Sequence, residues 1–261
     1  MTDPETQIAR IVYGPVPSWR LGRSLGVDMV SRAPKTCSFD CAYCQLGPTR
    51  RKTARREEFV AVSRLAQELD ALPALELDYV TFSGTAEPTL AANLGEAIAA
   101  VKERLQTPVA VLTNSSLMGD PQVRSDLAHA DRVVAKLDAP TEALLTEVNR
   151  PAPGITLEGI VAALKDFRAA YSGQLALQIM FYAANQDAGE ALAGLAREIE
   201  PDEVEVNTPL RPCAVEPLPE QALAAIMPAF AGLNAVSVYD AAKPSVKPLD
   251  MEETLRRRPT L

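Results

Sequence analysis

Three cysteines stand close together in the sequence Cys37-Ser-Phe-Asp-Cys41-Ala-Tyr-Cys44. The chain has four cysteines in all, and the fourth, Cys213, lies far along the sequence. Three soft thiolates within so short a segment can bind one metal centre, and a cubane iron-sulfur cluster held by three cysteines leaves its fourth iron open to another ligand. An open iron of this kind is a place where a small molecule can bind and react.

Two other interpretations of the cysteines remain open at this point. One is a structural zinc site that Cys213 completes, and the other is a set of buried or redox-pairing thiols. Zinc sites more often use two CxxC-like pairs or a mixture of cysteine and histidine. The chain has only one histidine, His129, so a zinc site with two cysteines and two histidines is excluded. The spacing therefore favours the iron-sulfur cluster.

The spacing CxxxCxxC, with the aromatic Tyr43 directly before the third cysteine, resembles the signature of the radical S-adenosylmethionine (SAM) superfamily. The resemblance implies that Cys37, Cys41 and Cys44 hold a 4Fe-4S cluster whose open iron chelates the amino and carboxylate groups of SAM. It also implies an electron donor of the flavodoxin or ferredoxin type. One electron from the reduced cluster would cleave SAM into methionine and a 5'-deoxyadenosyl radical, and the protein would position and shield the reaction.

The rest of the sequence alternates apolar strands with amphipathic helices. Continuous apolar strands that alternate with helices indicate parallel pairing with both faces of the sheet buried. We predict a first strand at 27–30, six more at 79–83, 109–113, 132–137, 175–181, 204–208 and 235–239, and helices near 58–71, 92–105, 121–129, 141–148, 155–170, 187–199 and 219–231.

The most probable fold class is a partial (β/α)6 barrel of the TIM type with parallel strands, which is also the usual fold of the family that the motif resembles. Polar residues follow the carboxyl end of every predicted strand, and in such a barrel these ends form one mouth. A Rossmann sheet is less favoured because no GxGxxG follows the first strand. The length of 261 residues, 47% of them hydrophobic, suits a single domain. Within it, 1–30 would pack on the barrel, 31–56 would bind the cluster, and 57–261 would form the barrel.

The first mouth segment, Ser83-Gly-Thr-Ala-Glu-Pro-Thr-Leu, resembles the family segment that surrounds the amino group of SAM. Gly84 would let the backbone approach a ligand, and Glu87 would offer acceptors to an ammonium group. Thr85 lies between them in the sequence, and we expect it to contact the cofactor as well. Ala86 stands where the family has a second glycine, which would strain a backbone angle that only glycine adopts.

Further mouth segments resemble the family in the same way. Leu112-Thr-Asn-Ser-Ser resembles its T-N-G segment and implies that Asn114 lies near the carboxylate or ribose of SAM, with Ser115 in the place of glycine. Asp138 and Gln178 are carried over as contacts for ribose, adenine or substrate. The Asn149-Arg-Pro stretch either clamps a carboxylate or phosphate or caps the preceding helix. Cys213 is either a hydrogen-atom donor to a substrate radical or an inert thiol.

Four segments together, YGPVPSxRLGRSLG, CSFxCxYCQLG, SGxxEPTL and VNRP, resemble a wyosine-synthase-like group of radical SAM proteins. The name of that group reflects kinship to a tRNA-modifying enzyme, and kinship of fold does not transfer a substrate. Three classes of function therefore stay open: a radical SAM enzyme acting on a small molecule or peptide, one acting on tRNA, and a non-catalytic iron-sulfur or zinc protein. Polar mouth residues such as Glu87 and Asn114 disfavour the third class.

The charge of the chain separates the first two classes. A net charge of -8 and a pI near 4.9 argue against a general nucleic-acid binder. One basic run, from Arg50 to Arg56, would hold an anionic group beside the cluster or form a solvated loop. We therefore expect a small-molecule or peptide substrate rather than tRNA. The amino-terminal residues lack a secretory signal and the chain lacks a long apolar run, so we expect a cytoplasmic protein without a membrane span.

Overall fold

The computed structural model describes residues 10–31 and 34–259. Within them the chain forms ten strands, of which two short ones flank the cysteine segment and the other eight build one sheet. In chain order the strands are β1 (Val12–Ser18), β2 (Gly22–Val27), β3 (Thr36–Cys37), β4 (Arg51–Lys52), β5 (Tyr79–Phe82), β6 (Val109–Thr113), β7 (Arg132–Lys136), β8 (Gln174–Met180), β9 (Glu203–Asn207) and β10 (Ala235–Ser237).

Eight α-helices lie within the same residues. They are α1 (Val62–Asp70), α2 (Leu94–Arg104), α3 (Pro121–Leu127), α4 (Glu142–Val148), α5 (Leu157–Ala170), α6 (Gly189–Ile199), α7 (Glu220–Ile226) and α8 (Met251–Arg257). Several begin where the sequence supplies a capping side chain: Asp120, Thr141 and Thr156 accept hydrogen bonds from the first turns of α3, α4 and α5. In the described part of the chain, no helix has the combined length and apolarity needed to traverse a bilayer.

The main sheet has the order β1-β2-β5-β6-β7-β8-β9-β10, and every neighbouring pair from β2 to β10 is parallel. Alternate residues such as Val80, Phe82 and Val111 are buried among the helices and form the core. The intervening residues face the interior of the barrel. The end strands β1 and β10 do not pair with each other, so the barrel is partial, and the predicted fold class is confirmed. The single-domain organisation stays a prediction.

The first part of the chain differs from the prediction. Residues 12–27 form the antiparallel hairpin β1-β2, and the strand predicted at 27–30 is only the end of β2. Pro15 and Pro17 exclude a helix, as expected, but an edge strand tolerates proline because its outer backbone groups need no partner. Gly26 is required opposite Tyr13, because a Cβ there would lie 2.1 Å from the Tyr13 ring.

The carboxy-terminal helix α8, which the sequence analysis missed, packs against β1 at the open side of the barrel. The amide of Gly14 donates to Thr254 Oγ1 at 3.1 Å. Arg257 is fully buried and donates from Nε to Asp28 Oδ2 at 3.0 Å and from Nη2 to Ser31 Oγ at 2.8 Å. Helix α8 thus packs on β1 and is tied by one buried ion pair to Asp28, which directly follows β2.

Substitution of Arg257 tests this link. Arg257→Met would leave the carboxylate of Asp28 buried without its cation, and burial already raises the pKa of Asp28 above its ordinary value. Loss of one partner of a buried pair costs about 3 to 5 kcal/mol. We expect that decrease in the free energy of unfolding, measured by urea denaturation and circular dichroism.

The neighbouring residue provides the control. The side chain of Arg256 is 48% exposed and lies 3.4 Å from Glu253. Arg256→Met should change the free energy of unfolding by less than about 1 kcal/mol. Equal losses in the two variants would contradict the proposed importance of the Arg257 pair.

Candidate active site

The loop that carries the cysteines is fastened to the segment after α4. The amides of Asp40 and Ala42 donate to the carbonyls of Asn149 and Val148, each at 2.9 Å, and the amide of Ala152 donates to the carbonyl of Ser38 at 2.8 Å. The Asn149-Arg-Pro stretch, for which the sequence left a clamp or a helix cap open, therefore anchors the cysteine loop. Asn149 also ends α4.

Each cysteine sulfur of the loop has a side-chain N-H donor beside it, and the three side chains come from different parts of the chain. The donor-sulfur distances are 3.1 Å from Lys35 Nζ to Cys44 Sγ, 3.8 Å from Asn114 Nδ2 to Cys37 Sγ, and 3.5 Å from Asn149 Nδ2 to Cys41 Sγ. Hydrogen bonds to the sulfur atoms stabilise negative charge on a metal-bound thiolate and tune the metal centre. This donor set fits an iron-sulfur cluster.

The thiols themselves are held in a low-polarity environment. Burial raises the pKa of Cys37 to about 11 and that of Cys41 to about 12. Without a metal they would keep their protons at neutral pH, so binding to iron must release protons. Among the residues described, no three His, Cys, Asp or Glu side chains meet as closely as one metal ion requires. A cubane binds each cysteine through a different iron atom, and so needs sulfurs that are farther apart.

A cavity of about 350 Å³ opens at the carboxyl ends of the strands, within the size range of small-molecule sites. All the site residues predicted from sequence line it, except Asp138 and Cys213. Those lining residues are Cys37, Cys41, Tyr43, Cys44, Gly84, Thr85, Glu87, Asn114 and Gln178. The structure thus brings together residues from the cysteine loop and from the ends of β5, β6 and β8.

Glu87 lies buried at the cavity wall and holds two mouth segments together. Its Oε1 accepts from Thr113 Oγ1 at 2.6 Å and from Thr89 Oγ1 at 2.7 Å, and its Oε2 accepts from the amide of Asn114 at 2.6 Å. Burial raises the pKa of Glu87, and the bonds from Thr113 and Asn114 oppose that rise. Ala86 is not among the residues with positive φ, so the strain expected there is absent.

Gly84 and Thr85 are positioned by Asp28, which the sequence analysis missed. Thr85 donates to Asp28 Oδ2 from its amide at 3.0 Å and from Oγ1 at 2.9 Å. A Cβ on Gly84, where φ is 152°, would lie 2.3 Å from Asp28 Cγ. Because Asp28 also binds Arg257, one carboxylate joins the mouth segment to α8. No spacing in the sequence connects these residues.

Asp138 lies behind the cavity wall. Its Oδ2 accepts from Tyr43 Oη and from Asn149 Nδ2, and its Oδ1 accepts from the amide of Met180 at 2.8 Å. Lys136 Nζ forms an ion pair with Asp138 Oδ1 at 3.3 Å. Asp138 therefore orients the ring of Tyr43, the aromatic residue of the cysteine motif. Its predicted direct contact with ribose, adenine or substrate gains no support from this position.

Gln178 has a polar group free for a ligand. Its Oε1 lies 3.4 Å from Lys136 Nζ, but its Nε2 is buried without an acceptor among the described residues. An unsatisfied buried donor costs about 1 to 3 kcal/mol. A bound molecule with an acceptor at this point would remove that cost, which fits the predicted role of Gln178 as a contact for cofactor or substrate.

The residues of two other hypotheses from the sequence lie outside the cavity. Cys213 donates from Sγ to the carbonyl of Val215 at 3.1 Å and packs near Tyr182, so its role as a hydrogen donor stays a prediction without geometric support. None of the residues from Arg50 to Arg56 lines the cavity. Arg51 pairs with Glu57, and the other ion pairs of this run are likewise structural.

Comparisons with known proteins identify the family of the chain. The family model described as the radical SAM superfamily matches residues 34–187. A UPF0026 protein of Synechocystis is 41% identical over 202 residues, which are 77% of this chain and 76% of that protein. A UPF0026 protein of Methanocaldococcus jannaschii is 35% identical over 209 residues, with 77% of this chain and 64% of the relative covered.

Solved structures show the same fold at low identity. SuiB of Streptococcus suis, in a crystal structure with its precursor peptide SuiA, has a TM-score of 0.62 and 16% identity, with 83% of this chain and 48% of SuiB covered. Archaeal TYW1 has a TM-score of 0.54 and 14% identity, with 78% of this chain and 70% of TYW1 covered. This chain thus spans only about half the length of SuiB.

The family model covers more than half of the chain, and the Synechocystis relative is matched over most of its length. The chain therefore belongs to the radical SAM superfamily, whose enzymes use a 4Fe-4S cluster and SAM, and within it to the UPF0026 proteins.

Proposed function

We propose that this radical SAM enzyme abstracts a hydrogen atom from a small-molecule or peptide substrate that binds in the 350 Å³ cavity. The observation that carries the proposal is the continuity of this cavity. It extends from the three cysteine thiols, past Glu87 and Gln178, to residues of the β1-β2 turn and of the loop after β9. A ligand at the cysteines and a second ligand beside it would thus share one continuous cavity.

The chain supplies the residues that would hold the cofactors. Cys37, Cys41 and Cys44 would bind the cluster, while Asn114 and Gln178 would contact SAM or the substrate from the mouth of the barrel. When bound and reduced by a flavodoxin or ferredoxin-type donor, the cluster supplies the electron that cleaves SAM into methionine and a 5'-deoxyadenosyl radical. The protein's own part is binding, orientation and exclusion of water.

The walls of the cavity suit a reactive intermediate. Apolar side chains, among them Leu112, Val134 and Met180, line it between the polar groups. Exclusion of water from a closed site suppresses side reactions and strengthens the electrostatic interactions within it. The fixed hydrogen bonds around Glu87 and Asp138 hold the polar side chains in place before any ligand arrives.

A tRNA-modifying activity is the second candidate. The observation that favours it is the number of cationic side chains that line the cavity, among them Arg20, Arg211 and Arg258. Two observations favour a small molecule instead. The chain carries a net charge of -8, and the basic run after the cysteines is engaged by carboxylates such as Glu57 and Asp126.

The cysteines give the first test of the function. Protein reconstituted without oxygen should bind about four irons per chain and cleave SAM when reduced. Cys37→Ala, Cys41→Ala and Cys44→Ala should each abolish both properties, because each removes one cluster ligand. Iron analysis and chromatography of 5'-deoxyadenosine measure the two outcomes.

Cys213→Ala is the matched control, since Cys213 lies outside the cavity. This variant should keep its iron. A colourless parent protein that carries one tightly bound zinc would refute the cluster assignment altogether.

Glu87 gives the second test. Glu87→Ala removes the acceptor that fixes the amide of Asn114 and the hydroxyl of Thr113. A hydrogen bond to a charged group is worth about 1.5 to 3 kcal/mol, so SAM affinity should fall by about 10-fold to 150-fold while the iron content stays at the parent value. Equilibrium dialysis of labelled SAM measures the affinity.

The control removes a carboxylate elsewhere on the barrel. Glu96 is exposed in the first turn of α2, and Glu96→Ala should bind SAM like the parent. Parent-like SAM binding by Glu87→Ala would show that the family's role for this glutamate does not apply here.

Lys35 gives the third test. Its ammonium group lies 3.1 Å from Cys44 Sγ and favours the more negative, reduced state of a bound cluster. Lys35→Met should lower the midpoint potential of the cluster. The worth of a charge-assisted hydrogen bond sets an upper bound of about 130 mV on this shift for a one-electron couple.

Lys52→Met is the matched control, because Lys52 follows the cysteines but donates to the carbonyl of Arg150 at 3.3 Å instead of to a sulfur. Redox titration monitored by electron paramagnetic resonance compares the variants. A potential unchanged in Lys35→Met, or shifted equally in both, would contradict the assignment.

A further inference from the structure

The cavity is lined by an excess of positive charge. Among the described residues that line it, Glu87 is the only carboxylate. Six lining residues are cationic: Arg20, Lys35, Lys136, Arg211, Lys243 and Arg258. Burial of charge is costly unless each group finds a partner, so the partners of these six residues decide what the cavity is built to bind.

Two of the six already have partners near the cysteines. Lys35 donates to Cys44 Sγ and to the carbonyl of Gly47, and Lys136 lies 3.3 Å from Asp138. These two lysines therefore belong to the cluster loop and its support. They leave the positive charge of the cavity's arginines unexplained.

Arg20, Arg211 and Arg258, which together form one wall of the cavity, are poorly neutralised. Arg20 lies 3.4 Å from Glu205, but Glu205 also pairs with Arg132 at 3.1 Å. In the described part of the chain, Arg211 and Arg258 have no carboxylate within ion-pair distance. Their recorded hydrogen bonds go to neutral groups, from Arg211 to Gln45 at 3.2 Å and from Arg258 to Ser83 at 3.1 Å.

Two guanidinium donors of this wall form no hydrogen bond within the described residues. They are the buried Nε atoms of Arg20 and Arg258, of which Arg20 Nε lies 3.4 Å from Glu205 Oε2 without a hydrogen bond. The three arginines are also close enough to repel one another. Burial, followed by the charges of Arg258 and Arg20, lowers the pKa of Arg211 to about 10. The wall thus gathers positive charge and unpaired donors at a cost that an anion would offset.

We propose that Arg20, Arg211 and Arg258 form a subsite, here called the arginine subsite, for a phosphate or carboxylate group of a small-molecule substrate carrying at least two negative charges. The inference rests on the proposed function, because it assigns the substrate class of the same cavity. Guanidinium groups present planar forks of donors that match phosphate and carboxylate oxygens. Three such groups from separate parts of the chain fit a polyvalent anion better than a single monovalent one.

The position of the subsite distinguishes it from the SAM site. Arg20 belongs to the β1-β2 turn, Arg211 to the loop after β9, and Arg258 directly follows α8. All three lie outside the three-cysteine motif, but Arg211 donates to Gln45, which directly follows Cys44, and Arg258 donates to Ser83 of the first mouth segment. The arginine subsite would therefore hold the substrate directly beside SAM.

Calorimetry on the reconstituted holoprotein tests the proposal. With SAM at saturation and at low ionic strength, inorganic pyrophosphate should bind at one site per chain, whereas chloride at matched ionic strength should not. Phosphate and malonate form two further arms, and the tighter binder of the pair tells whether the group is a phosphate or a carboxylate. Trp19, the only tryptophan, reports independently, because it lines the cavity with the Arg20 guanidinium 5.2 Å from its ring centre.

The variants locate the binding. Arg211→Gln and Arg258→Gln should each weaken pyrophosphate binding at least about tenfold, since each removes a charge-assisted hydrogen bond. Arg55→Gln is the matched control, because Arg55 is 83% exposed and lies outside the cavity. If Arg258→Gln fails to fold, Arg211→Gln carries the test, and circular dichroism identifies that case.

Three results would overturn the proposal. Displacement of SAM by pyrophosphate would show that the arginines serve the carboxylate of SAM. Equal affinities of Arg211→Gln and Arg55→Gln for pyrophosphate would show that the anion responds to the overall charge of the protein and not to a specific subsite. Tight, salt-sensitive binding of total tRNA that Arg211→Gln abolishes would assign the wall to a nucleic acid. Failure of the proposed function is separate, because it is measured as absent SAM cleavage by the parent protein whether or not pyrophosphate binds.

Discussion

The attachment of the cysteine loop to the end of α4 is the constraint on which the rest of the site depends. Short loops without regular structure cannot hold three thiols in place by themselves, and here backbone bonds to residues 148–152 supply the missing rigidity. Asn149 contributes to this rigidity through its side chain as well, because its Nδ2 donates to Cys41, Tyr43 and Asp138. Cys41, Tyr43 and Asp138 are therefore positioned by one side chain, and their contributions cannot be independent of one another.

Much of the fold follows from local patterns. The parallel strands from β5 to β10 and the helices between them were predicted to within a few residues, because buried strands and amphipathic helices leave clear periodicities. The hairpin β1-β2 and helix α8 were missed. The hairpin contains Gly14, Pro15 and Pro17, which hide a strand from propensity arguments, and α8 is short and exposes Met251 and Leu255. Both elements depend on long-range pairing, which no local pattern records.

The candidate site divides in the same way. Cys37, Cys41, Cys44 and the mouth segments could be found because they keep a family spacing. Asp28 and Arg258 could not be found, because their partners are far away in sequence: Asp28 meets Arg257 and Thr85, and Arg258 meets Ser83. The basic run was the visible charge signal, yet its residues serve the scaffold. Charge in a sequence locates a binding surface only when the fold leaves that charge without a partner.

The contact between β1 and α8 also sets an order of events during synthesis. Gly14 and Thr254 are 240 positions apart, so β1 cannot meet α8 on the ribosome until residue 254 has emerged. Contacts of such long sequence separation form late, because loop closure must precede them. The strands from β5 to β10 are therefore all synthesised before β1 gains its contact with α8.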